Sequence, residues 1–171
     1  VTHLNYDKKP LHPVIYLEGV EPGKIPVGVE IALQYNDSFS ENVLSFANVI
    51  RTRDGGTHLT GFRTALIKVI KDYAARSGIL KNFKADLTGD DLKEGLTAVV
   101  FVKMSANEIQ FESQTKAKLN NSEAQSATYS IAREQLEEYF EENPSVAKKV
   151  LEKIFLAAKA RLARSEEHTS E

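Results

Sequence analysis

The chain has 171 residues, of which 42% are hydrophobic, so it can bury a sizeable core as one domain with or without an appendage. Its formal charge of −2 shows no global basic excess, so any contact with nucleic acid must come from a local patch. The lack of cysteine excludes disulfides, thiolate zinc sites and cysteine catalysis. No apolar run reaches about 18 residues, so we expect a cytoplasmic protein without membrane contact.

The two ends of the sequence predict a fragment of a longer protein, rather than a chain with a processed N-terminus, and a C-terminal tail that is not native. The sequence begins with Val1 rather than methionine, and residues 1–13 are typical of a connection inside a longer chain. At the other end, residues 164–171 break the composition of the preceding segment and resemble the translation of a sequencing adapter. We therefore exclude residues 164–171 from the fold prediction and assign no role to His168.

The first third of the chain predicts three strands with short connections. Residues 14–17 form a short apolar strand that closes before Glu21-Pro22-Gly23. Residues 27–35 alternate large apolar side chains with small or polar ones, which is the period of a strand with one buried face. After the turn residues Asn36-Asp37-Ser38, residues 41–50 predict a returning strand. Together the three strands predict an antiparallel meander.

The hydrophobic period then changes to that of a helix. Thr57 is predicted to cap a helix that carries apolar residues three and four apart and ends at Ser77-Gly78. The preceding Gly55 and Gly56 either allow the turn from strand to helix, the more ordinary explanation, or present backbone N–H groups to an anion. Residues 79–87 predict a polar connection.

A short helical turn and the most apolar strand follow. Thr88-Gly89-Asp90-Asp91 predicts a turn whose acids lie at its positive N-terminus. Two adjacent aspartates could also suggest a magnesium site, but neighbours on a helix point in different directions, so capping is favoured. Residues 96–102 are apolar enough to form a strand buried on both faces.

Two helices complete the pattern. The first is predicted from Ser122 to Glu142, and Asn143-Pro144 ends it and begins the next. The last helix has six basic residues against one acidic residue, Glu152. Its polar side is therefore either an ordinary solvated face or a surface that follows a phosphate backbone. The basic residues are Lys148, Lys149, Lys153, Lys159, Arg161 and Arg164.

A polar bend, residues 111–118, precedes these helices and contains Gln114-Thr115-Lys116. Gln114 offers two amide donors and Lys116 three ammonium donors, so a bend that is not strand-like could turn both onto one terminal phosphate. Alone, this tripeptide is a weak signal and is most often a solvated loop. The sequence has no zinc-type histidine spacing, Walker loop, Gly-x-Gly-x-x-Gly or Gly-x-Ser-x-Gly motif, so no self-sufficient active site is predicted.

A series of short stretches, taken in order along the chain, resembles one known family. The stretches are Leu11-His12-Pro13, residues 28–37, Phe46-Ala47-Asn48, residues 54–58, Gly61-Phe62-Arg63, residues 88–91, residues 94–99, residues 111–116, residues 121–123, residues 141–144 and residues 157–161. They resemble the transducer domain in the ATPase subunit of the bacterial type IIA DNA topoisomerases, most closely the gyrase B type. No single motif is decisive, but the ordered series is specific and extends to about residue 163.

The resemblance implies an α+β fold of the β-α-β transducer type, in a superfamily shared with a ribosomal-protein domain and marked by a left-handed crossover. It implies a mixed or antiparallel sheet, helices packed on one side, and a long C-terminal helical pair. Residues 1–13 would connect from an upstream GHKL ATP-binding domain. Residues 14–163 would be the transducer domain, with sheet and helices in 14–120 and a helical extension in 121–163. Residues 164–171 would be the adapter-derived tail.

The resemblance also implies how the chain works. In the family, ATP with Mg²⁺ lies in the GHKL domain and the Gln-Thr-Lys loop reaches its γ-phosphate. Lys116 would then be the catalytic γ-phosphate contact and Gln114 its partner, and no metal ligands are expected in this chain. ATP binding and hydrolysis would be transmitted to closure of the DNA clamp during negative supercoiling. Alone, the fragment would neither bind ATP tightly nor be catalytically competent.

The implied partners are the GHKL domain, a downstream TOPRIM domain, the DNA-cleaving gyrase A protein, a second copy of the chain, and duplex DNA. The residues expected to face DNA are Lys148, Lys149, Lys153, Lys159 and Arg161. Two alternatives stay open: a topoisomerase IV ATPase subunit, or a free-standing nucleic-acid-binding module of the same fold. Ser113 and Asn120 depart from the family, where glycine is frequent, and this narrows the backbone conformations open to the loop.

Overall fold

The computed structural model describes residues 1–78 and 86–169, so most of the predicted connection 79–87 lies outside the described residues. The strands are β1 (Ile15–Glu21), β2 (Val27–Tyr35), β3 (Asn42–Ala47), β4 (Ile50–Arg51) and β5 (Leu96–Lys103). The helices are α1 (Thr57–Ser77), α2 (Ser122–Glu142) and α3 (Pro144–Thr169), and a 3₁₀ turn, Gly89–Leu92, precedes β5. Within the described ranges, no helix combines the length and hydrophobicity needed to cross a bilayer.

The strands form one mixed sheet in the order β1-β2-β5-β3-β4. β5 is antiparallel to β2 and parallel to β3, so it separates two strands that are neighbours in sequence. The predicted meander is therefore wrong. The physical reason is that β5, the most apolar strand, takes the central position, where both of its backbone edges are paired.

The predicted returning strand over residues 41–50 is also wrong, because the structure divides it into β3 and β4. The chain reverses at Asn48, whose φ of 53° is left-handed, and Ala47 pairs with Ile50 across the turn. Asparagine tolerates this conformation better than most residues. Its side-chain oxygen also accepts a hydrogen bond from the Met104 N–H at 3.0 Å, which fixes the chain just after β5.

One face of the sheet carries the core beneath α1 and α2. On this face the alternate residues of the two central strands are buried: Val27, Val29, Ile31, Leu33, Tyr35, Leu96, Ala98, Val100 and Val102. On the other face of β5, Thr97 is buried, but Val99 and Phe101 are only half-buried. The prediction that β5 is buried on both faces is therefore wrong, whereas the α+β architecture with a mixed sheet agrees with the prediction.

α1 and α2 run parallel and in close contact. A side chain at Gly61 of α1 would place its Cβ 2.5 Å from the carbonyl oxygen of Gln125, so the helices approach as only glycine allows. Further along, the rings of Tyr73 and Phe140 pack edge to face with centroids 5.9 Å apart. These contacts extend over most of both helices and join them into one layer.

The predicted bounds of α2 are confirmed, and α3 begins at Pro144 as predicted. The buried side of α3 also agrees with the prediction, since Val150, Leu151 and Ile154 are at most 1% exposed. α3 nevertheless continues to Thr169, past the point where we expected the helix to end.

Buried polar side chains hold the N-terminal segment against the sheet. Asn5 donates to Gln34 Oε1 at 2.8 Å and accepts from Thr97 Oγ1 at 2.6 Å. His12 Nε2 accepts the Tyr35 N–H at 3.0 Å, so the proton of the neutral ring lies on Nδ1, 2.7 Å from the Pro13 carbonyl oxygen. These contacts require a neutral His12.

Candidate functional site

The bend that contains Gln114 and Lys116 is a closed hairpin. At its base, Phe111 and Leu119 form an antiparallel bridge, and the Glu112 N–H donates to the Lys118 carbonyl at 3.0 Å. At its tip the Lys116 N–H donates to the Ser113 carbonyl at 3.1 Å. The tip is therefore a tight turn rather than a strand, which is the condition that the phosphate hypothesis requires.

Gln114 and Lys116 both lie exposed at this tip. Neither side chain has a hydrogen bond or ion pair to another residue of the described chain, so their donors are free for an external acceptor. The φ of Lys116 is 57°, a left-handed conformation that is uncommon for a residue other than glycine. The hairpin therefore holds this lysine in a conformation that the isolated chain would rarely adopt.

The two departures from the family pattern introduce no such strain. Among the described residues, the only non-glycine residues with positive φ are Asn48 and Lys116, so neither Ser113 nor Asn120 occupies a position that needs glycine. The Ser113 hydroxyl instead lies 2.6 Å from the Thr115 hydroxyl. The tip is thus compatible with the residues present.

The base of the hairpin is fastened to the start of α1. The Asp54 N–H donates to the Ala117 carbonyl at 2.8 Å. Leu119 donates its N–H to the Gly55 carbonyl at 3.1 Å and accepts the Thr57 N–H at 3.1 Å. The Gly55 N–H donates to the Thr52 carbonyl at 3.0 Å and the Thr57 N–H to Leu119, so the glycines serve the turn and the contact with Leu119, and Gly55 has no N–H left to offer an anion.

The prediction that Thr57 caps α1 is wrong. Thr57 is the first residue of the helix, Gly56 is the N-cap, and no side-chain capping bond is present. The backbone of Leu119 satisfies the Thr57 N–H instead, and the Thr57 hydroxyl has no partner within the described residues. A contact from 62 positions away thus replaces the expected local cap.

Asn121 fixes the exit of the hairpin, a role that the sequence pattern did not predict. Its side chain is 2% exposed, accepts the Gln110 N–H at 2.6 Å and donates to the Glu108 carbonyl at 2.8 Å. From the sequence, Asn121 is assigned only to the approach to α2. The backbone groups of a long polar connection need hydrogen-bond partners, and an asparagine beside such a connection can supply them. This is the sequence signal that could have identified Asn121.

A neutral histidine follows Thr57 at the start of α1. His58 is fully buried, its Nε2 is 3.1 Å from the Thr52 hydroxyl, and its Nδ1 has no partner within the described residues. Burial lowers the pKa of His58 to about 4. The ring is therefore uncharged at neutral pH.

The structure separates the five basic residues of α3 that were predicted to face DNA. Lys148, Lys149 and Lys159 are exposed. Lys153 is only 8% exposed, donates to the Ser38 carbonyl at 2.8 Å, and lies 4.9 Å from the centre of the Phe39 ring. For Lys153 the DNA-facing prediction is therefore corrected: this residue fastens α3 to the β2–β3 connection.

Arg161 is likewise engaged within the protein. Its Nε and Nη2 donate to the two carboxylate oxygens of Asp91 at 2.9 and 3.2 Å, and Nη2 also donates to the Asp86 carbonyl at 3.1 Å. Asp91 in turn accepts the Thr88 N–H at 2.9 Å, so the predicted capping role is confirmed for this aspartate. The predicted DNA-facing surface is thereby reduced to Lys148, Lys149 and Lys159.

The hairpin offers donors for an anionic group. Two exposed donor side chains, separated by one residue at the tip, suit the oxygens of a terminal phosphate. Over residues 1–78 and 86–169, no three His, Cys, Asp or Glu side chains cluster closely enough to hold a metal ion. The site therefore fits one part of a larger binding site.

Comparison with known proteins places this geometry in a family. A family model described as DNA gyrase B matches residues 1–169. The gyrase B protein of Bacillus mycoides is 47% identical over 164 residues, which cover 95% of this chain and 39% of that protein. The gyrase B protein of Clostridium acetobutylicum is 49% identical over 164 residues, 95% of this chain and 25% of that protein. The chain thus spans well under half the length of these relatives.

Solved structures agree with the sequence relatives. The 43K ATPase domain of Thermus thermophilus gyrase B, crystallised with an aminocoumarin, superposes with a TM-score of 0.88 at 38% identity, covering 99% of this chain and 44% of that one. The topoisomerase IV ATP-binding domain of Francisella tularensis gives 0.78 at 25% identity, covering 94% and 42%.

Proposed function

The chain belongs to the DNA gyrase B family and corresponds to part of its ATPase region, and from this premise we propose that it is the transducer domain. In this proposal Lys116 binds the γ-phosphate of ATP, Gln114 is the second donor, and the hairpin transmits the state of the nucleotide to the DNA clamp. The observation that supports it is the pair of free donors at the tip of a hairpin anchored to α1.

The chemistry of the tip suits a phosphate sensor. A charge-assisted hydrogen bond from the ammonium group to a phosphate oxygen contributes about 1.5–3 kcal/mol net. Because the hairpin is closed by its own hydrogen bonds, little conformational freedom of the backbone is lost when the phosphate binds. Hydrolysis removes the acceptor, so the contact exists only while the γ-phosphate is in place.

The other domains and subunits of the proposed assembly lie outside this chain. ATP and its Mg²⁺ would be held by an upstream GHKL domain, to which residues 1–13 would connect, and residues 14–163 would form the transducer with its left-handed crossover. A TOPRIM domain, the gyrase A protein, a second copy and duplex DNA complete the proposed assembly, in the cytoplasm. A topoisomerase IV ATPase subunit is the alternative, since the Francisella tularensis structure has a similar fold.

Replacing Lys116 by alanine tests the γ-phosphate contact. In a chimera that carries residues 1–163 in place of the matching part of the Thermus thermophilus ATPase domain, we expect kcat for ATP hydrolysis to fall about 10- to 100-fold, the equivalent of one such contact. Steady-state turnover measures this, and circular dichroism checks that both proteins are folded.

Lys118→Ala is the matched control for this experiment. Lys118 is an exposed lysine of the same hairpin, but its ammonium group is already paired with Glu112 at 3.5 Å, so its removal should leave kcat unchanged. Equal turnover in the Lys116→Ala and unsubstituted chimeras would contradict the phosphate role and leave only a role in forming the clamp wall.

The exposed lysines of α3 support a second, sequence-independent contact with DNA. If Lys148, Lys149 and Lys159 each neutralise one phosphate, replacing all three by glutamine should reduce the magnitude of the negative slope of log K against log salt by about 3. Fluorescence anisotropy with duplex DNA over a salt series measures this slope. A variant that loses the same charge elsewhere, at Lys24, Lys68 and Lys118, should keep it, and equal slopes in both variants would refute the assignment. If the isolated chain binds duplex DNA with an affinity that falls steeply with salt, this would favour the free-standing nucleic-acid-binding module.

A further inference from the structure

At Gly56 the start of α1 and the base of the hairpin are in close backbone contact. A Cβ built on Gly56 would lie 2.4 Å from the carbonyl oxygen of Leu119, 2.5 Å from its nitrogen and 2.8 Å from its Cα. All three atoms belong to the backbone, so no side-chain rotation can relieve the clash. The φ of Gly56 is 132°, which L-residues rarely adopt. Any side chain here must push the base of the hairpin away.

The surrounding contacts form one joint, which consists of residues 54–57 on one side and residues 117–119 on the other. Its three backbone hydrogen bonds are 2.8, 3.1 and 3.1 Å long, and the first of them accepts at Ala117, the residue after Lys116. The helical side of the joint is stiff, because α1 is a 21-residue helix packed against α2 through Gly61. The hairpin therefore cannot shift relative to α1 without breaking these bonds.

We propose that Gly56 is a positioning residue for Gln114 and Lys116. By permitting direct backbone contact with Leu119, it sets the position of the hairpin tip and couples movement of the tip to the α1–α2 layer. This inference rests on the proposed γ-phosphate role of Lys116, and it adds a residue that never touches the nucleotide. Gly56 acts only through the hairpin that it supports.

The overlap between a Cβ at Gly56 and the Leu119 backbone sets the loss of turnover expected for Gly56→Ala. To move from 2.4 Å to ordinary contact at 3.4 Å, the Leu119 backbone must shift by about 1 Å, and a misplacement of that size costs roughly 100-fold in rate. Gly95 provides a matched control, because its φ is 79° and a Cβ there would lie 2.6 Å from the Asn36 carbonyl oxygen. Gly95 begins the approach to β5 and has no contact with the hairpin.

The first test measures ATP turnover in the chimera. Gly56→Ala should lower kcat by about 10- to 100-fold with little change in KM, whereas Gly95→Ala should keep kcat within about threefold. Both substitutions should lower the unfolding midpoint by a similar amount, roughly 5 °C. If both glycine variants lose turnover equally, the effect is general destabilisation and the proposal is overturned.

The double variant Gly56→Ala/Lys116→Ala separates positioning from structure. Because Gly56 acts only through Gln114 and Lys116, the loss of kcat in the double variant should be much smaller than the product of the two single losses. A double variant whose loss equals the product of the two single losses would show that Gly56 affects turnover by another route, and this result would also overturn the proposal.

Hydrogen exchange in the 171-residue chain tests the joint without any nucleotide. In the unsubstituted protein, the amides of Thr57 and Leu119 should exchange as slowly as those of Val69 and Ile70 in the core of α1, and far more slowly than that of Gln114. If the amides of Thr57 and Leu119 exchange as fast as that of Gln114, the joint is frayed and the proposal is refuted. This comparison uses only the unsubstituted protein, so it does not depend on a variant that might fail to fold.

Hydrogen exchange also distinguishes failure of the γ-phosphate role of Lys116 from failure of the positioning role of Gly56. In Gly56→Ala, protection at Thr57 and Leu119 should fall at least about tenfold, and in Gly95→Ala it should not. If Lys116→Ala leaves turnover intact, the γ-phosphate role fails, and the exchange data alone then test whether Gly56 holds the hairpin against α1. Retained protection of Thr57 and Leu119 in Gly56→Ala would overturn that role of Gly56, and lost protection would support it.

Discussion

Replacement of Asp91 by alanine is expected to lower the free energy of unfolding by about 3 kcal/mol, or roughly 10 °C in the unfolding midpoint. Asp91 is 2% exposed and accepts hydrogen bonds from Thr88 and from two nitrogens of Arg161. Burial disfavours the charged carboxylate, but the bonds from Arg161 and Thr88 outweigh this and hold its pKa below the usual value. Alanine removes both the cap and the attachment of α3. We take the lower end of the range for a broken buried pair, since the Arg161 side chain is 31% exposed and can rehydrate.

Asp90→Ala is the natural control for Asp91→Ala. Asp90 precedes Asp91 directly, but its side chain is 83% exposed and its pairing with Lys93 is a surface contact, so its loss should change stability by less than about 0.5 kcal/mol. Thermal and urea unfolding of both variants measure the difference. Hydrogen exchange should show the loss localised to the second half of α3, and equal destabilisation by the two substitutions would contradict the assignment.

Acidification is expected to destabilise the fold chiefly through its buried histidines. The pKa of His58 is about 4 in the folded protein and about 6.5 when unfolded, so between these values the unfolded state binds more protons. The stability associated with neutral His58 is complete above pH 6.5, falls as the pH drops towards 4, and changes no further below it. The shift corresponds to about 3 kcal/mol lost across this window.

His58→Gln isolates this contribution. The variant cannot take up a proton at this position, so its free energy of unfolding should vary much less between pH 6.5 and 4 than that of the unsubstituted protein. A residual slope is expected from His12, whose pKa is also lowered by burial, with Lys149 adding to the effect. Chemical denaturation at a series of pH values measures both curves, and parallel curves would show that His58 does not cause the acid sensitivity.

Features that depend on residues close in sequence could be predicted from the chain. The bounds of α2 follow from its apolar periodicity and from Asn143-Pro144, which ends one helix and begins the next. The alternation in β2 likewise predicted its buried face correctly. The exposure of Gln114 and Lys116 at one tip follows from their separation by a single residue, and their phosphate role stays a prediction.

Features that depend on distant partners could not be predicted. The prediction of the strand order was wrong because hydrophobicity marks β5 as a buried strand but does not indicate that it lies between β2 and β3. The charge count on α3 treated Lys153 and Arg161 as free, since their acceptors lie 115 and 70 residues away. Gly56 looked like an ordinary turn residue because Leu119, which requires it, is 63 positions later.

The central position of β5 also determines when the protein can fold during its synthesis. Both β1–β2 and β3–β4 are local hairpins, but until residue 103 has left the ribosome the inner edge strands of these hairpins have no partner. Nascent chains that stop short of this point expose two unpaired edges, which invite association with other chains. Long-range pairing of this kind slows folding, so the emerging polypeptide depends on the late arrival of a single segment.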